Sequence, residues 1–189
     1  MGAITKEQQK IERLKELIWY ICENYNQQLF QTKLWKLVFF CDSDYFEKYN
    51  TSITAVTYIK NHRGPTPSYK HAEKAIEELE KNGFITKTEE GTYVALKNYE
   101  LKHLDHQQID PARATCDKYY RLTVNEICTL SHRDPVYLAA EKLNDVLNFK
   151  FVAYRDDGSG VDEEESEKEQ KEIVFSKKAR ENLLKIAFA

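Results

Sequence analysis

The chain has 189 residues, of which 41% are hydrophobic and 12% aromatic, and its formal net charge is −3 at pH 7. A chain of this length fits one compact domain and buries roughly 70% of its unfolded surface, so it needs no disulfide or structural metal for stability. Its apolar runs are far shorter than the ~20 residues of a membrane span, and the first residues, MGAITKEQQK, contain no apolar signal core, so we expect a cytoplasmic protein with no membrane partner.

Charge is distributed unevenly along the chain. Residues 156–172, DDGSGVDEEESEKEQKE, contain nine acidic and two basic residues, so the rest of the chain is mildly basic. A run this polar and self-repelling is typical of a flexible loop. It could be a solvated linker, an acidic segment that attracts a basic partner, or a nucleic-acid mimic. We therefore predict three parts: a domain at 1–155, an acidic loop at 156–172, and a strand and helix at 173–189 that pack back on the domain.

Two long helices are predicted at the start of the chain. Thr5 can cap the first, whose apolar residues recur at helical spacing from Ile11 to Tyr25. The second, at 32–49, contains LWKLVFF and is apolar around nearly its whole circumference. Because such a helix must be buried, we expect 32–49 to be the central element of the core.

A rigid corner follows the second helix. The β-branched run at 53–58 is predicted as a strand or an extended connector, and NHRGPTPSY at 61–69 then holds two of the chain's four prolines. A Gly-Pro pair turns the backbone and keeps the glycine out of the α region. Thr66 is predicted to cap a helix that begins at Pro67 and ends at the C-terminal cap at 82–83.

The second half of the chain contains one predicted hairpin and several short helices. Thr123 and Glu126 form a capping box, which marks the start of a helix, and Asp-Pro pairs mark two further starts. The chain is therefore predicted to be mostly α (α+β), a single helical domain of about six helices around helix 32–49. The later predicted elements are a small antiparallel β-hairpin at 84–96, helices at 110–120, 123–131 and 134–146, and a strand-like piece at 149–154.

No catalytic signature is present. The six glycines form no phosphate-binding loop, and neither a GxSxG motif nor a cysteine-nucleophile motif occurs. The four cysteines have no CxxC or zinc spacing, and the histidines at 103 and 106 lie in a polar, aperiodic segment. We therefore expect no metal, no cofactor and no enzyme activity, and keep an enzyme without a sequence signature as an alternative.

The main alternative function is transcriptional regulation. A helix at 67–82 followed by a hairpin is the order of a winged helix, so the chain could be a winged-helix-like DNA-binding regulator. Four glutamates on that helix would face the phosphates of DNA and be repelled by them. Nucleic acid is therefore not the expected partner.

Three stretches of the sequence resemble a known family. KLWKLVFFCD at 33–42 resembles the KLQKLLYFA helix of the Panacea (SocA-like) antitoxin domain. Tyr45 and RGPTP at 63–67 match the tyrosine-bearing turn and Gly-Pro segment that follow it, and the stretch at 119–137 matches a later motif. The chain has Tyr137 where the family usually has Trp, and a threonine after Gly-Pro where the family usually has an aliphatic residue. The resemblance covers about residues 8–147.

The resemblance implies a helical domain that binds and neutralises a toxin protein encoded beside it, without catalysis. At least one relative is similar to a proteolytic adaptor that hands its toxin to a AAA+ protease. The expected partner is therefore a cognate toxin protein that is encoded by an adjacent gene. A AAA+ protease is the second expected partner.

The corner at 61–69 has the composition of a protein interface. Rigid prolines reduce the entropy lost on binding, and Arg and Tyr are enriched in interface hot spots. We therefore predict that the corner and the bend at 132–137 form part of the partner-binding face. The predicted partner-binding residues are Tyr58, His62, Arg63, Gly64, Pro65, Pro67, Tyr69, His132 and Tyr137.

Overall fold

The computed structural model of the chain describes residues 4–155. The predicted loop at 156–172 and the predicted strand and helix at 173–189 lie outside the described residues. The helices are α1 (Lys6–Asn24), α2 (Gln31–Tyr49), α3 (Tyr69–Lys81), α4 (His106–Tyr119), α5 (Val124–Arg133), α6 (Pro135–Leu138) and a 3-10 helix (Phe149–Tyr154). The strands are β1 (Tyr58–Ile59), β2 (Thr66–Pro67), β3 (Ile85–Lys87) and β4 (Tyr93–Ala95). The mostly α fold with a little β structure is confirmed.

Helix α2 is the centre of the core, as its sequence predicts. It packs against α1, α4, α5, β2 and the 3-10 helix, and Leu37, Val38 and Phe39 on it are completely buried. The Phe39 ring makes edge-on contacts with Tyr58 and Phe149, at centroid distances of 5.7 and 5.8 Å. Truncation of a phenylalanine in such a core costs about 3–5 kcal/mol of stability. Helix α2 is therefore the rigid centre on which the surrounding elements, with their surface residues, pack.

The contact between α2 and α4 includes two cysteine side chains. Cys41 and Cys116 are buried, and their Sγ atoms lie 3.6 Å apart without a disulfide. The Cys41 thiol also contacts the carbonyl oxygen of Ala112 at 3.6 Å. Cys22 is buried as well, whereas Cys128 on α5 is half-buried. The contact between the two thiols therefore belongs to the packing of α2 on α4.

Helix α3 begins two residues later than the sequence predicts. Thr66 and Pro67 do not start the helix, because they pair with Ile59 and Tyr58 in an antiparallel β1–β2 ladder. The N-cap is Ser68. The predicted C-terminal cap is confirmed, since Gly83 has a φ of +67° and the next N–H donates to the carbonyl oxygen of Leu79 at 2.9 Å.

Among the later elements, the hairpin and the capping box at Thr123 are confirmed. Strands β3 and β4 pair antiparallel with Thr86 opposite Val94, and the Thr123 and Glu126 side chains cap each other's backbone N–H groups. Helix α4 begins at His106 instead of at Pro111, because Asp105 and Gln108 form a second capping box. Pro111 therefore lies inside α4 and not at its start.

Two predictions near the end of the described chain are wrong, one on where a helix ends and one on the type of an element. Helix α6 ends at Leu138 instead of near 146, because the Asp145 carboxylate accepts hydrogen bonds from the N–H groups of Glu141 and Lys142 and closes a loop there. Residues 149–154 form a 3-10 helix instead of a strand, since the Asn148 side chain caps the N–H of Lys150 at 3.0 Å. In both places a short polar side chain captures the backbone.

Arg155 fixes the end of the described chain to the domain. Its guanidinium forms ion pairs with Asp44 at 2.8 Å and with Asp134 at 2.7 Å, and it donates to Ser43 Oγ at 2.7 Å.

Between residues 4 and 155, no helix is long and apolar enough to cross a lipid bilayer.

Candidate partner-binding site

The predicted corner is the turn of the β1–β2 hairpin. Tyr58 pairs with Pro67, and the Gly64 N–H donates to the carbonyl oxygen of Asn61 at 2.9 Å to close the turn. Gly64 has a φ of +95°, a conformation that favours glycine. The corner is therefore a short, hydrogen-bonded hairpin whose backbone path requires a glycine.

The corner lies directly against α2 and α5. A Cβ atom on Gly64 would lie 2.5 Å from Ser131 Oγ and 2.9 Å from the Lys36 Cε. Ser131 itself is buried and donates to the carbonyl oxygen of Cys128 at 2.8 Å, so it has little freedom to move away. The absence of a side chain at Gly64 allows this close approach.

A buried lysine holds the corner in place. Lys36 on α2 is only 1% exposed, and its Nζ donates to the carbonyl oxygen of Pro65 at 2.6 Å. No carboxylate among residues 4–155 forms an ion pair with it. Burial lowers the pKa of Lys36 to about 7, because a charged ammonium is poorly solvated there.

The bend after α5 packs on the same corner. The Tyr137 hydroxyl donates to the carbonyl oxygen of Asn61 at 2.9 Å, and its ring lies 4.8 Å from the His132 ring. The His132 Nε2 atom is buried and finds no hydrogen-bond partner among the described residues. Burial lowers the pKa of His132, and the nearby charge of Lys36 acts in the same direction. The two predicted stretches are thus brought together.

Exposure separates the nine predicted partner-binding residues into two groups. His62 and Arg63 are exposed, as is Tyr69 at 51%, while His132 is half-buried. The other five are buried and can support the corner but do not lie at its surface: Tyr58, Gly64, Pro65, Pro67 and Tyr137. Tyr58 in particular lies in the core, where its hydroxyl donates to the Asp42 carboxylate at 2.7 Å. Direct contact with a partner stays a prediction for the exposed residues.

A groove beside the corner is a feature that the sequence reasoning missed. It lies between α2 and α3, has a volume of about 390 Å³, and has Trp35, Ala72 and Ile76 among its apolar lining. Arg63 and Tyr69, two of the exposed predicted residues, also line it. The remaining lining residues are Gln31, Thr32, Lys36, Asn61, Thr66, Glu73 and Glu77.

The two sides of α3 differ in their electrostatics. Toward α1, its charges are paired, since Lys70 contacts Glu7 at 3.3 Å and Glu78 contacts Lys15 at 2.9 Å. Toward the groove, Glu73 and Glu77 are exposed and form no ion pair within residues 4–155.

Arg63 on the corner likewise forms no ion pair with any described residue. Its Nη1 is 3.4 Å from Thr32 Oγ1, a long hydrogen bond. The groove therefore has a cationic group at the corner and two anionic groups along α3.

The exposed face of α3 also bears on the DNA-binding alternative. The order of a winged helix is present, since α3 is followed by the β3–β4 hairpin. Glu73, Glu77 and Glu80 are exposed on that helix and would repel phosphates. Nothing in the geometry of this helix favours a nucleic-acid interface.

In residues 4–155, no group of three or more His, Cys, Asp or Glu side chains is placed to hold a metal ion.

Comparison with known proteins identifies a family. Residues 34–136, more than half of the chain, match the model of the family described as "Antitoxin SocA-like, Panacea domain". No curated protein and no solved structure matches the chain. The matched region extends from α2 through the corner, α3 and α5 into α6, and so contains the groove and the bend. The chain belongs to the SocA-like antitoxin family with a Panacea domain.

Proposed function

We propose that this protein is an antitoxin that neutralises a cognate toxin by direct protein–protein binding. The observation that carries the proposal is the exposed pair Arg63 and Tyr69, held on a rigid corner at the mouth of an apolar groove. Membership of an antitoxin-like family suggests a toxin partner and a non-catalytic mode of action.

The corner has the physical properties of a preformed binding surface. Its backbone is fixed by the β1–β2 ladder, by the hydrogen bond from Lys36 and by the hydrogen bond from Tyr137. Because the backbone is already ordered, binding costs little conformational entropy there. Arginine and tyrosine supply large contact areas and strong hydrogen-bond donors, which is why they are common among interface hot spots.

A growth-rescue experiment tests the proposal. The protein is co-expressed with each gene encoded next to it, and rescue from a growth-inhibiting neighbour is scored. Arg63→Glu should abolish rescue and weaken binding of the neighbour's product by roughly a hundredfold, about 3 kcal/mol, while the melting temperature changes little. Arg121→Glu, an exposed arginine on the α4–α5 turn, is the matched control.

The outcome also separates two modes of neutralisation. If binding alone blocks the toxin, its amount in the cell should be unchanged when the antitoxin is present. If the antitoxin delivers the toxin to a AAA+ protease, the half-life of the toxin should fall and recover in a protease-deficient strain. Failure to rescue growth from any neighbouring gene product, together with failure to bind one, would contradict the proposed function.

A further inference from the structure

We propose that the α2–α3 groove binds a dipolar segment of the partner protein, in which one large apolar side chain lies between an acidic and a basic group. The acidic group would lie toward Arg63 and the basic group toward Glu73 and Glu77. This inference rests on the proposed function and specifies the chemistry of the toxin segment that the groove recognises.

The shape of the groove suits one large apolar side chain. Trp35 and Ile76 are each 7% exposed and Ala72 is 5% exposed, so they offer a shallow apolar surface at the bottom of the groove. The Tyr69 ring stands at the rim and is half exposed, so a bound side chain could cover it. A pocket of about 390 Å³ accommodates an aromatic or aliphatic side chain together with its flanking backbone.

The acidic wall predicts a basic group on the partner. Glu73 and Glu77 are one helical turn apart, and like charges at this spacing repel each other. On the neighbouring face, toward α1, Lys74 and Glu78 have the same spacing but opposite charges and lie 3.9 Å apart. Helix α3 therefore pairs its charges where it meets α1 and leaves two carboxylates uncompensated where it faces the groove. A lysine or arginine of the partner would compensate them.

The corner predicts an acidic group at the other end. The Arg63 guanidinium is exposed, and its contact with Thr32 Oγ1 at 3.4 Å leaves most of its donors free for a carboxylate. Lys36 also lines the groove, but its buried Nζ donates to the backbone of Pro65, so Arg63 supplies the positive charge at this end. Because the two ends of the groove carry opposite charges, they fix the direction in which a segment binds.

Peptide selection provides the test, with a random 12-residue phage-display library as the probe. The full-length protein is the target, and the Glu73→Lys/Glu77→Lys variant is used for counter-selection. We expect selected peptides to contain Leu, Phe or Trp, with Lys or Arg within one helical turn on one side and Asp or Glu on the other. Peptides without this charge order, or no selected peptides, would overturn the proposal.

Titration of one selected peptide measures the charge contribution. We expect its affinity to fall roughly tenfold or more for the Glu73→Lys/Glu77→Lys variant and less than about twofold for Glu89→Lys/Glu90→Lys, a matched change on the exposed turn of the β3–β4 hairpin. A peptide with its basic residues changed to glutamate should regain affinity for the first variant only. Equal binding to both variants would overturn the proposal.

Growth rescue distinguishes failure of this inference from failure of the proposed function. If the wild type rescues growth and the Glu73→Lys/Glu77→Lys variant rescues equally well, the groove is not the recognition site but the antitoxin function stands. If the peptides show the expected charge order but no neighbouring product is bound, the groove stands and the proposed function fails. Dimerisation of the wild type that the same variant abolishes would assign the groove to a second copy of this chain and overturn the inference.

Discussion

The buried lysine beneath the corner makes a quantitative prediction about stability and pH. Lys36 is 1% exposed, and burial lowers its pKa from 10.5 to about 7. The unfolded chain keeps this proton up to its ordinary pKa, whereas the folded chain releases it near pH 7. Between these values the unfolded state binds more protons, so the free energy of unfolding rises with pH.

The size of this effect follows from the pKa change. A decrease from 10.5 to about 7 corresponds to roughly 4–5 kcal/mol of destabilisation when Lys36 is fully charged. Between pH 7 and pH 9, the recovery of this energy should raise the stability of the wild type by about 2 kcal/mol relative to a Lys36→Met variant. The variant also loses the hydrogen bond to Pro65, but that loss is a constant offset and does not change the slope.

Urea unfolding at pH 7, 8 and 9, followed by circular dichroism, measures the two slopes. Burial and the nearby charge of Lys36 lower the pKa of His132 below its usual value, so His132 is mostly neutral above pH 7 and contributes little to either slope. Lys81→Met, at an exposed lysine, is the control and should run parallel to the wild type. Parallel curves for wild type and Lys36→Met would refute the argument, because they would mean that Lys36 titrates equally in the folded and unfolded states.

Two further predictions concern local structure. Thr123→Ala removes one half of the capping box and should cost about 0.5–2 kcal/mol, and the double variant with Glu126→Ala should lose less than the sum of the single losses; strict additivity in urea melts would count against a reciprocal box. Gly64→Ala should cost about 2–4 kcal/mol in stability and also weaken partner binding, because its Cβ would clash with Ser131 Oγ in a backbone conformation that L-residues disfavour; an unchanged melting temperature would contradict this.

Local signals in the sequence predict much of the fold. The burial of α2 follows from its all-round apolarity, and the box at Thr123 and the cap at Gly83 each depend on residues a few positions apart. The start of α4 could have been predicted in the same way, since Asp105 and Gln108 have the spacing of a capping box. The Asp-Pro pair at 110–111 is a competing local signal for a helix start, but Pro111 lies inside α4.

Features that depend on distant residues could not be predicted from the sequence. Thr66 and Pro67 read locally as a cap and a first helical residue, but pairing with strand β1 decides their conformation. The groove depends on the separation of α2 and α3, and no sequence spacing encodes that distance. The burial of Tyr58 could not be predicted for a similar reason, because its hydroxyl reaches the Asp42 carboxylate on helix α2.

The cysteine arrangement has a consequence for labelling chemistry. Cys22, Cys41 and Cys116 are buried, and burial raises the pKa of the Cys22 thiol to about 12. The pKa of Cys41 is also raised well above its usual value, chiefly by its contact with Cys116, so the nucleophilic thiolate is scarce at both buried positions. Cys128 alone among the four is half-buried, and it lies on α5 close enough to Lys36 to influence its charge. A maleimide dye would therefore attach to the native chain next to the corner, where its fluorescence reports on whatever occupies that surface.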